Sequence, residues 1–522
     1  MAFINIHTNN LSRELSNSVT YIDNWAYVPG TAITGDYTKP YAFQSLEEFK
    51  SACGTHGPEG SITFQYVSGL LNAGIPVLFR RIACKNQDTA SEELGVTKAK
   101  LALTHHDSKT DSDITDATVY EKYGGTYGND INISIKNTGT AYWLEVYLKY
   151  TLLERARLIT IDSSKSQLET NAELIKALQT TEFDRIEIDV NEEVVTDPSK
   201  FNLQTISGAY LSGGTDFDEN AVAAEIPKSY EFIEDKILYQ PKFITSGGYT
   251  DIDVSSSSPI ATAMKNLTLT RQDCRALIDL PIGTKKEDYA SNAAQLGYQQ
   301  LSDGQAIPSA SMYGPWQYMQ VGNEQLWMPP SYVFLTVVGS DLSKGGKVYT
   351  PKAGVTTGQV SNILKSEFEI GSALSQEWQS DSSVNINPIM RLQGGQYVIA
   401  GNSTLLTPEV NGRENNAFSE SSADLTIIEI KRFVYNLATE LQYQYNSTTA
   451  FETFALRTSK FLQTMQSEGS VTDFDISNVS TDSEPRKLKV KLDVYLSPTI
   501  KSIELFLNVA YGSIEVSTGG VE

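Results

Sequence analysis

The sequence predicts a multidomain protein with both α/β and α+β parts. Its 522 residues exceed one ordinary hydrophobic core, so roughly two to four domains are expected. Helical and strand-like patterns alternate before about residue 90 and again after 217, whereas short alternating strands dominate the stretch between them. We therefore predict an α/β middle domain, a β-sandwich-like domain inserted into it, and a C-terminal α+β domain with terminal arms.

The first patterned stretch predicts two helices and a strand. The segment "LEEFKSACG" is typical of a helix that ends at Gly54. The segment "SITFQYVSGLLNAG" predicts a second helix, with Ser61 as its N-cap and Gly74 just beyond its end. The short apolar run in "IPVLFRRI" then favours a buried strand.

A similar alternation returns after the β-rich stretch. The segment "PIATAMKNLTLT" predicts a helix, and "CRALIDLP" predicts a buried strand. Because Phe79 and Ala276 both lie in buried-strand patterns, we conjecture that the two stretches join around the insertion. This gives one α/β domain made of residues 26–90 with 217–415.

Residues 95–215 are predicted to form the inserted β-rich domain. The strand-like segments are "AKLALTHH", "DINISIKN", "YWLEVYLKY", "ARLITID" and "DRIEIDV", and turn residues separate them. The pair His105-His106 falls between strand signals, and we interpret it as part of a turn.

The last part predicts a C-terminal α+β domain of residues 416–509. Two long helices are indicated by "DLTIIEIKRFVYNLATELQYQY" and by "TTAFETFALRTSKFLQTMQSEG". Strict alternation then predicts strands with one buried face, carried by Leu488, Val490, Leu492 and Val494, then by Ile503, Leu505 and Leu507, and finally by Ile514 and Val516. A strand at a sheet edge leaves main-chain groups unpaired, so a pairing partner is expected.

Composition argues against several functional classes. A net charge of −22 repels phosphate backbones, so no nucleic-acid binding is expected. The start "MAFINIHTNN" has no basic and then apolar pattern, and no window approaches 18 apolar residues, so neither a signal peptide nor a membrane span is predicted. The three cysteines indicate reduced, mostly buried thiols of a chain folded in a cytosol.

Residues of the catalytic types are sparse. Cys53 and His56 are spaced like two zinc ligands but lack a second pair, which favours a buried thiol and a surface histidine. The sequence contains no phosphate-binding glycine loop, no dinucleotide fingerprint and no nucleophile elbow. We predict no catalytic residue, no cofactor and no metal, and we keep a hydrolase on an α/β scaffold as an alternative.

Four stretches stand out, and the last of them, "FLQTMQSEGSVTDFDI", predicts a helix end, a glycine stop and a strand. In "GGTYGNDINISI", Gly125 and Gly128 would supply unusual backbone dihedrals and Asn129 a turn hydrogen bond. The segment "LWMPPSYVFLTVVG" is interpreted as prolines before an apolar strand. The segment "VNINPIMRLQGGQYVIAGNSTL" predicts two strands joined by a Gly-Gly turn.

Together, in this order, these stretches resemble the contractile tail sheath family. The family includes the sheath proteins of contractile-tailed phages, of phage-tail-like bacteriocins and of related contractile injection systems. One departure is an inserted residue in the family's Pro-Ala-Gly motif, at Lys352. The matching positions are Gly125 to Asn129, Pro315-Trp316, Pro329-Pro330, Pro351 to Gly354, Ile386-Asn387, Gly401 to Leu405, Phe461-Leu462, Gly469 and Phe474.

The resemblance implies a structural protein rather than an enzyme. Sheath subunits stack as hexameric rings around an inner tube, and contraction drives the tube through a target cell envelope without nucleotide hydrolysis. The C-terminal domain lies innermost, and inserted domains project outward. Terminal arms, here residues 1–25 and 510–522, add strands to the C-terminal sheets of neighbouring subunits, unless they are simply frayed tails.

The resemblance also implies partners and sites. The partners are other copies of the chain, the inner tail tube protein, and baseplate and tail terminator proteins, with no nucleic acid and no membrane insertion. Arg457, Lys460 and Thr464 lie off the apolar stripe of the second long helix and mark a candidate tube-facing surface, or an ordinary solvated face. The inserted domain is either a plain structural addition or a receptor or glycan site.

The implied location is the tail of a bacteriophage virion or a phage-tail-like particle. Such a late structural protein is assembled in the cytoplasm of the bacterial host. The alternative is another self-assembling protein, such as a surface-layer or adhesion subunit.

Overall fold

The computed structural model describes residues 25–82, 96–107, 111–216, 219–251, 254–255, 258–298, 307–380, 385–406, 417–443, 445, 447–480 and 488–499. These residues form twelve α-helices and five β-sheets. Nearly all of the predicted N-terminal arm, the predicted C-terminal arm and the strands around Ile503, Leu505, Leu507, Ile514 and Val516 lie outside the described residues.

The elements before the insertion agree with their sequence patterns. The first helix is capped at Ser45 and ends at Gly54, whose φ is 97°. The second helix has Ile62 and not the predicted Ser61 as its N-cap, although the Ser61 hydroxyl still accepts the amide of Thr63 at 3.2 Å. Gly74, with φ 80°, follows the C-cap as predicted. The elements are β1 (Ala26–Gly30), β2 (Tyr41–Phe43), α1 (Leu46–Cys53), α2 (Thr63–Asn72) and β3 (Val77–Arg81).

The inserted stretch forms two antiparallel sheets and two helices. Its elements are β4 (Lys100–Asp107), β5 (Ser112–Glu121), β6 (Ile131–Asn137), β7 (Ala141–Leu148), β8 (Thr151–Thr160), α3 (Gln167–Thr180), β9 (Ile186–Val190), α4 (Glu192–Thr196) and β10 (Ile206–Tyr210). The strand orders are β4-β5-β9 and β10-β6-β7-β8. Leu103 and Val119 of one sheet share a buried cluster with Ile133 and Leu144 of the other.

Helix α3 was missed in the sequence. It begins with a reciprocal capping box between Ser166 and Glu169, and it buries Leu174 and Leu178 in the cluster that the two sheets share. Strand signals on both sides obscured its helical period. The insertion is therefore β-rich with two packed helices, since α4 also buries Val194 in this cluster.

The interpretation of His105-His106 as a turn was wrong. Both residues lie in β4, where successive side chains point to opposite faces of the sheet. His105 is buried and its Nδ1 lies 2.8 Å from Asp116 Oδ2, whereas His106 is exposed. The ladder between β4 and β5 continues through both histidines, so the turn begins later than expected.

The chain after the insertion alternates helices and strands. The elements are α5 (Glu219–Ser229), β11 (Phe243–Ile244), α6 (Pro259–Arg271), β12 (Arg275–Ile278), α7 (Tyr289–Leu296), β13 (Ala310–Gly314), β14 (Gln317–Val321), β15 (Glu324–Met328), α8 (Pro330–Ser343), α9 (Gly354–Thr357), β16 (Gln359–Val360), β17 (Ile363–Ser366), α10 (Ser372–Ser380), β18 (Asn387–Arg391) and β19 (Tyr397–Ile399). Gly394 and Gly395 form the predicted turn between β18 and β19, with φ values of 113° and 90°. Strands β14, β15 and β17 form a small antiparallel sheet.

The apolar strand predicted after Pro329-Pro330 is in fact helix α8. Proline is well tolerated in the first turn of a helix because the first amides have no partner inside the helix. Pro330 occupies that position, and most of the following turns are buried. A helix that is buried all round has no amphipathic period, so its sequence looks like that of a buried strand.

A nine-stranded sheet joins the segments on either side of the insertion. Its order is β16-β19-β18-β13-β12-β11-β1-β3-β2, and β1 runs parallel to both β3 and β11. Phe79 in β3 pairs with Val28 of β1, β1 pairs with β11, and Ala276 in β12 pairs with Ile244 of β11, so strands from both segments lie in one sheet.

Helices cover both faces of this sheet. Val28 belongs to a buried cluster with residues of α2 and α8, whereas the adjacent Tyr27 belongs to a second cluster with residues of α5, α6 and α7. Such double coverage explains why the central strands are apolar without alternation.

The C-terminal part has two long helices and a hairpin of strands. Its elements are α11 (Ser421–Leu441), α12 (Thr448–Ser467), β20 (Val471–Asn478) and β21 (Val490–Leu496). The start of α11 is built into the large sheet: Arg275 Nη1 donates to the carbonyl of Ser421 at 2.7 Å, and Asp424 accepts a hydrogen bond from Ser309. The C-terminal elements are therefore fixed to the α/β core at one end of α11.

Candidate assembly interface at the C-terminal sheet

Strands β20 and β21 form an antiparallel ladder near the end of the described chain. Val494 lies opposite Phe474. Both side chains are partly buried against the cluster that contains Val28 and residues of α2 and α8, which we call the main core. Leu492 packs on the same side, whereas Lys491 and Tyr495 are exposed. The predicted alternation is confirmed from Val490 onward, while the predicted Leu488 lies two residues before the strand.

Within the described residues this sheet has two strands, whereas the other four sheets have three to nine. A two-stranded sheet is marginal by itself, so it depends on the layer beneath it. Met465 of α12 contributes to that layer, and Val471 of β20 is buried in the same cluster. The hairpin is therefore a thin, supported sheet, and additional strands would enlarge it.

The end of β21 is tied back to the large domain. Ser497 N donates to the carbonyl of Ser470 at 3.1 Å. Thr499 donates to Glu420 Oε2 twice, through its amide at 3.2 Å and its hydroxyl at 3.0 Å. Asn402 Nδ2 also lies 3.4 Å from the Thr499 hydroxyl. These contacts fix the last described residues, 497–499, against the rest of the structure.

Helix α12 presents one face to α11 and the core. Its buried side chains are Phe454, Thr458, Leu462 and Met465, which follow the helical spacing expected from the sequence. Phe461 stacks on Phe433 of α11 with ring centroids 4.1 Å apart and ring planes 3° from parallel. This stacked pair sets how the two helices lie against each other.

The three residues predicted to face a tube lie on the opposite, exposed face of α12. Arg457 forms an ion pair with Glu440 of α11, and this contact lowers the pKa of the Glu440 carboxyl. The Thr464 hydroxyl donates to the carbonyl of Lys460 at 3.1 Å. The structure thus brings Lys460 and Thr464 together, but it commits Arg457 to a contact within the chain.

A tyrosine-rich surface between α11 and α12 was not identified from the sequence. Tyr443 is 68% exposed and Tyr445 is 94% exposed, and both line an open cavity with a volume of about 380 Å³. Leu456 on α12 is also 58% exposed. Exposed large apolar side chains that lie near each other are typical of contact surfaces. The alternating segment "QYQYNS" was the available signal.

The Gly-x-x-Gly-Asn motif lies where the insertion meets the large sheet. Gly125 has φ 122°, and a Cβ atom there would lie 2.3 Å from the carbonyl oxygen of Ile33. Arg81 donates to four carbonyl oxygens around it, those of Ala32, Gly35, Tyr123 and Gly124, at 2.8 to 3.0 Å. Only glycine fits at Gly125, because the motif packs directly on the core of the other domain.

Glu121 completes this junction from inside the insertion. Its carboxylate accepts the amides of Tyr123 and Gly124 and the hydroxyl of Thr34, the last at 3.1 Å. Burial raises the pKa of the Glu121 carboxyl, although these donors and Arg81 oppose the shift. The junction is thus a dense polar contact and not a loose linker.

The described residues contain no group of three or more His, Cys, Asp or Glu side chains that could hold a metal ion. Burial raises the pKa of the Cys53 thiol to about 12, so this thiol is not the reactive thiolate that a ligand or nucleophile requires. No described helix is both long and apolar enough to cross a membrane.

Comparisons with known proteins bear on the fold. The sequence matches no protein-family model, and no curated protein matches it. Its structure is similar to the crystal structure of a sheath tail protein from Listeria innocua, with a TM-score of 0.61 and 13% identity over 91% of this chain and 92% of the other. It is also similar to a sheath tail protein from Desulfitobacterium hafniense, with a TM-score of 0.53 and 11% identity over 91% and 96% of the two chains.

A third similarity is to a chain in the cryo-EM structure of the anti-feeding prophage baseplate in its contracted state. The TM-score is 0.51 and the identity 14%, over 97% of this chain and 98% of the other. The likeness therefore spans almost the whole length of both chains in each comparison. This chain has the fold of the tail sheath proteins, the family that its motifs resemble.

Proposed function

We propose that the chain is the structural subunit of a contractile tail sheath. It polymerises as stacked hexameric rings around an inner tube, and contraction drives the tube through a target cell envelope. The observation that carries this proposal is the whole-length likeness to two sheath tail proteins, which covers 91% of this chain in both cases. Because proteins with one fold can have different functions, the proposal also depends on surfaces through which the chain could assemble.

The proposed joint between subunits is the C-terminal sheet. Strands 488–496 and 503–509 are the receiving sheet, and a strand containing Ile514 and Val516 is given to or shared with a neighbour. The half-buried ladder of β20 and β21 supports this, because main-chain hydrogen bonds to an added strand would supply affinity and its alternating side chains would fix register. The arms are residues 1–25 and 510–522.

The proposed orientation places residues 416–509 innermost and the insertion 95–215 outward, with 26–90 and 217–415 between them. The exposed face of α12 with Lys460 and Thr464 then faces the tube, and Arg457 lies at its border. The tyrosine surface beside that face supports a contact role, since tyrosine combines apolar area with a polar tip.

The proposed partners are other copies of the chain, the inner tail tube protein, and baseplate and tail terminator proteins. The similarity to a chain of a baseplate assembly supports the baseplate partner. The proposed location is a bacteriophage virion tail or a phage-tail-like particle, assembled in the cytoplasm of the bacterial host. The role is structural and needs no cofactor.

Electron microscopy of the purified full-length chain tests this proposal. Tubular polymers with six-fold symmetry are the expected result. A flat lattice would instead indicate a surface-layer or adhesion subunit. A stable monomer that cleaves ester or peptide substrates would overturn both assembly proposals.

A further inference from the structure

A cleft between α6 and α11 is lined mostly by positively charged side chains, whereas the chain as a whole is negatively charged. Its volume is about 250 Å³. The cations that line it are Lys236, Arg271, Lys431 and Arg432, and the one carboxylate among its lining residues is Asp273. The whole chain carries a net charge of −22, so this local excess of positive charge stands out against the rest of the molecule.

Arg271 and Asp273 neutralise each other within the cleft wall. Arg271 is fully buried and binds the Asp273 carboxylate through two nitrogens, each at 2.9 Å. Its remaining donors go to the carbonyls of Ile233 and Tyr239. This pair is structural, because its donors are already used. The free positive charge of the cleft therefore belongs to the other three cations.

Arg432 keeps its charge although it is well bonded. Its guanidinium donates to the carbonyls of Gln240 at 2.9 Å, Asp273 at 3.2 Å and Pro241 at 3.4 Å. These bonds attach the middle of α11 to the start of β11 and β12. Carbonyl oxygens satisfy the donors without cancelling the charge, so Arg432 remains a cation at the cleft.

The two lysines complete the positive surface. Lys431 Nζ has Gln272 Oε1 at 3.5 Å, a neutral partner at the limit of hydrogen bonding. Partial burial of the amine lowers the pKa of Lys431, the negative charge of Asp424 opposes this shift, and the positive charge of Lys236 adds to it. An anion between the two amines would relieve this repulsion.

One exposed aromatic side chain lines the cleft, and two exposed apolar residues directly follow one of its lysines in sequence. Tyr435 lines the cleft and is 46% exposed, and Ile237 and Leu238, which follow Lys236 in sequence, are 52% and 44% exposed. A small inorganic ion would leave these side chains uncovered. A protein segment that brings a carboxylate together with apolar neighbours would cover them and meet the cations as well.

We propose that this cleft receives a carboxylate-bearing segment of a second copy of the chain. The inference rests on the proposed assembly, and it adds a contact that is separate from strand sharing. The chain itself offers suitable acids: Asp473 and Asp475 of β20 are exposed, and Asp475 lies directly opposite Asp493. Lys491 pairs with Asp493 of its own strand at 2.5 Å.

A charge-reversal experiment on the full-length chain tests the contact. The double variant Lys236→Glu with Lys431→Glu is compared with Lys176→Glu with Lys200→Glu, which reverses two exposed lysines of the insertion. We expect the cleft variant to raise the concentration needed for polymerisation about tenfold or more, because like charges across an interface repel, and the control to leave it unchanged. Circular dichroism verifies that both variants are folded.

The wild-type chain separates the two hypotheses. If the wild type forms no polymer, the proposed function fails before the cleft is tested. If the wild type and the cleft variant polymerise at the same concentration, the cleft contact is overturned while the proposed function stands.

Carbodiimide coupling of wild-type polymers provides a second test that needs no variant. The reagent joins an amine to a carboxylate that touches it. Polymers are built from a mixture of ¹⁴N-labelled and ¹⁵N-labelled chains, so links between copies carry both labels. We expect mixed-label links from Lys236 or Lys431 to an Asp or Glu. Links from these lysines only within one copy, or only to an added tube protein, would overturn the proposal.

Discussion

Asn129 and Gly214 exchange two hydrogen bonds at the base of the inserted domain. Asn129 Nδ2 donates to the Gly214 carbonyl at 2.8 Å, and Gly214 N donates to Asn129 Oδ1 at 2.9 Å. The two residues are 85 positions apart: Asn129 follows the second strand of the insertion, and Gly214 lies at the end of the insertion. The pair therefore closes the insertion by joining its end to the glycine motif at its base.

The first prediction concerns this closure. Asn129→Ala removes both bonds and leaves two partly buried main-chain groups of Gly214 unpaired, which should cost about 1–3 kcal/mol of the free energy of unfolding. Urea unfolding measures the loss, and faster hydrogen exchange in the insertion locates it. Asn202→Ala is the matched control, because Asn202 is exposed. Equal losses in the two variants would contradict the closure role.

The second prediction concerns the buried carboxyl of Asp279. It accepts the amide of Ser331 at 2.8 Å and the hydroxyl of Ser331 at 2.5 Å, at the start of α8. Burial raises the pKa of Asp279 from its ordinary 3.8 to about 7, although these two donors lower it in part. Between these pH values the folded protein holds a proton that the unfolded chain has released, so stability falls as pH rises.

Asp279→Asn keeps an acceptor for Ser331 but cannot ionise. Relative to wild type, this variant should therefore gain stability between pH 4 and pH 7, by up to about 4 kcal/mol for a shift of about three pH units. Urea unfolding at a series of pH values measures the difference. Asp473→Asn, at an exposed carboxyl, should give a flat difference over the same range. A flat difference for Asp279→Asn would refute the raised pKa.

Sequence patterns correctly predicted those helices and strands in which one face is more buried than the other, because this difference produces a regular spacing of apolar residues. The alternation from Val490 to Leu496 reflects a partly buried face, and the stripe of α12 reflects a buried face, so both elements were correctly identified. Helix α8 was misassigned because it is buried on all sides and has lost the helical period. The pairing of distant strands, such as β1 with β11, depends on the whole core and leaves no local pattern.

The candidate site was predictable to a similar degree. The exposed positions of Lys460 and Thr464 follow from helical spacing alone. The ion pair of Arg457 with Glu440 could not be foreseen, because it depends on how α11 lies against α12. The basic cleft combines residues 236, 271 and 431. Because these residues are far apart in the chain, no local sequence motif predicts the cleft.

The third prediction tests the tube-facing surface of α12. Lys460→Glu with Thr464→Glu adds negative charge to the exposed face and breaks no described ion pair, so the free energy of unfolding should change by less than about 1 kcal/mol. Binding to the tube protein should weaken if this face meets it. Co-sedimentation with preformed tubes measures binding. Lys176→Glu, on the exposed face of α3, is the control. Unchanged tube binding with the α12 variant would remove this face from the interface.

The fourth prediction concerns the anchor of the chain after β21. Glu420→Gln weakens two charge-assisted hydrogen bonds to Thr499, and Glu420→Ala removes them. If this anchor directs the following strand toward a neighbour, the polymerisation yield should fall in the order wild type, Gln, Ala. Thermal melting should shift by only a few degrees, since the pair is partly buried. Equal yields for all three proteins would show that the anchor does not orient the shared strand.

The last prediction separates folding from assembly at the other end of the chain. Removing residues 1–20, which lie outside the described part, should leave circular dichroism and the melting temperature unchanged, because the described cores are built from later residues. The truncated chain should form no long tubes if the segment adds a strand to a neighbour. A chain in which a Gly-Ser sequence of equal length replaces residues 1–20 controls for length, and it should fail in the same way. Normal tubes from the truncated chain would refute the arm, whereas normal tubes from the Gly-Ser chain alone would mean that length matters and not sequence.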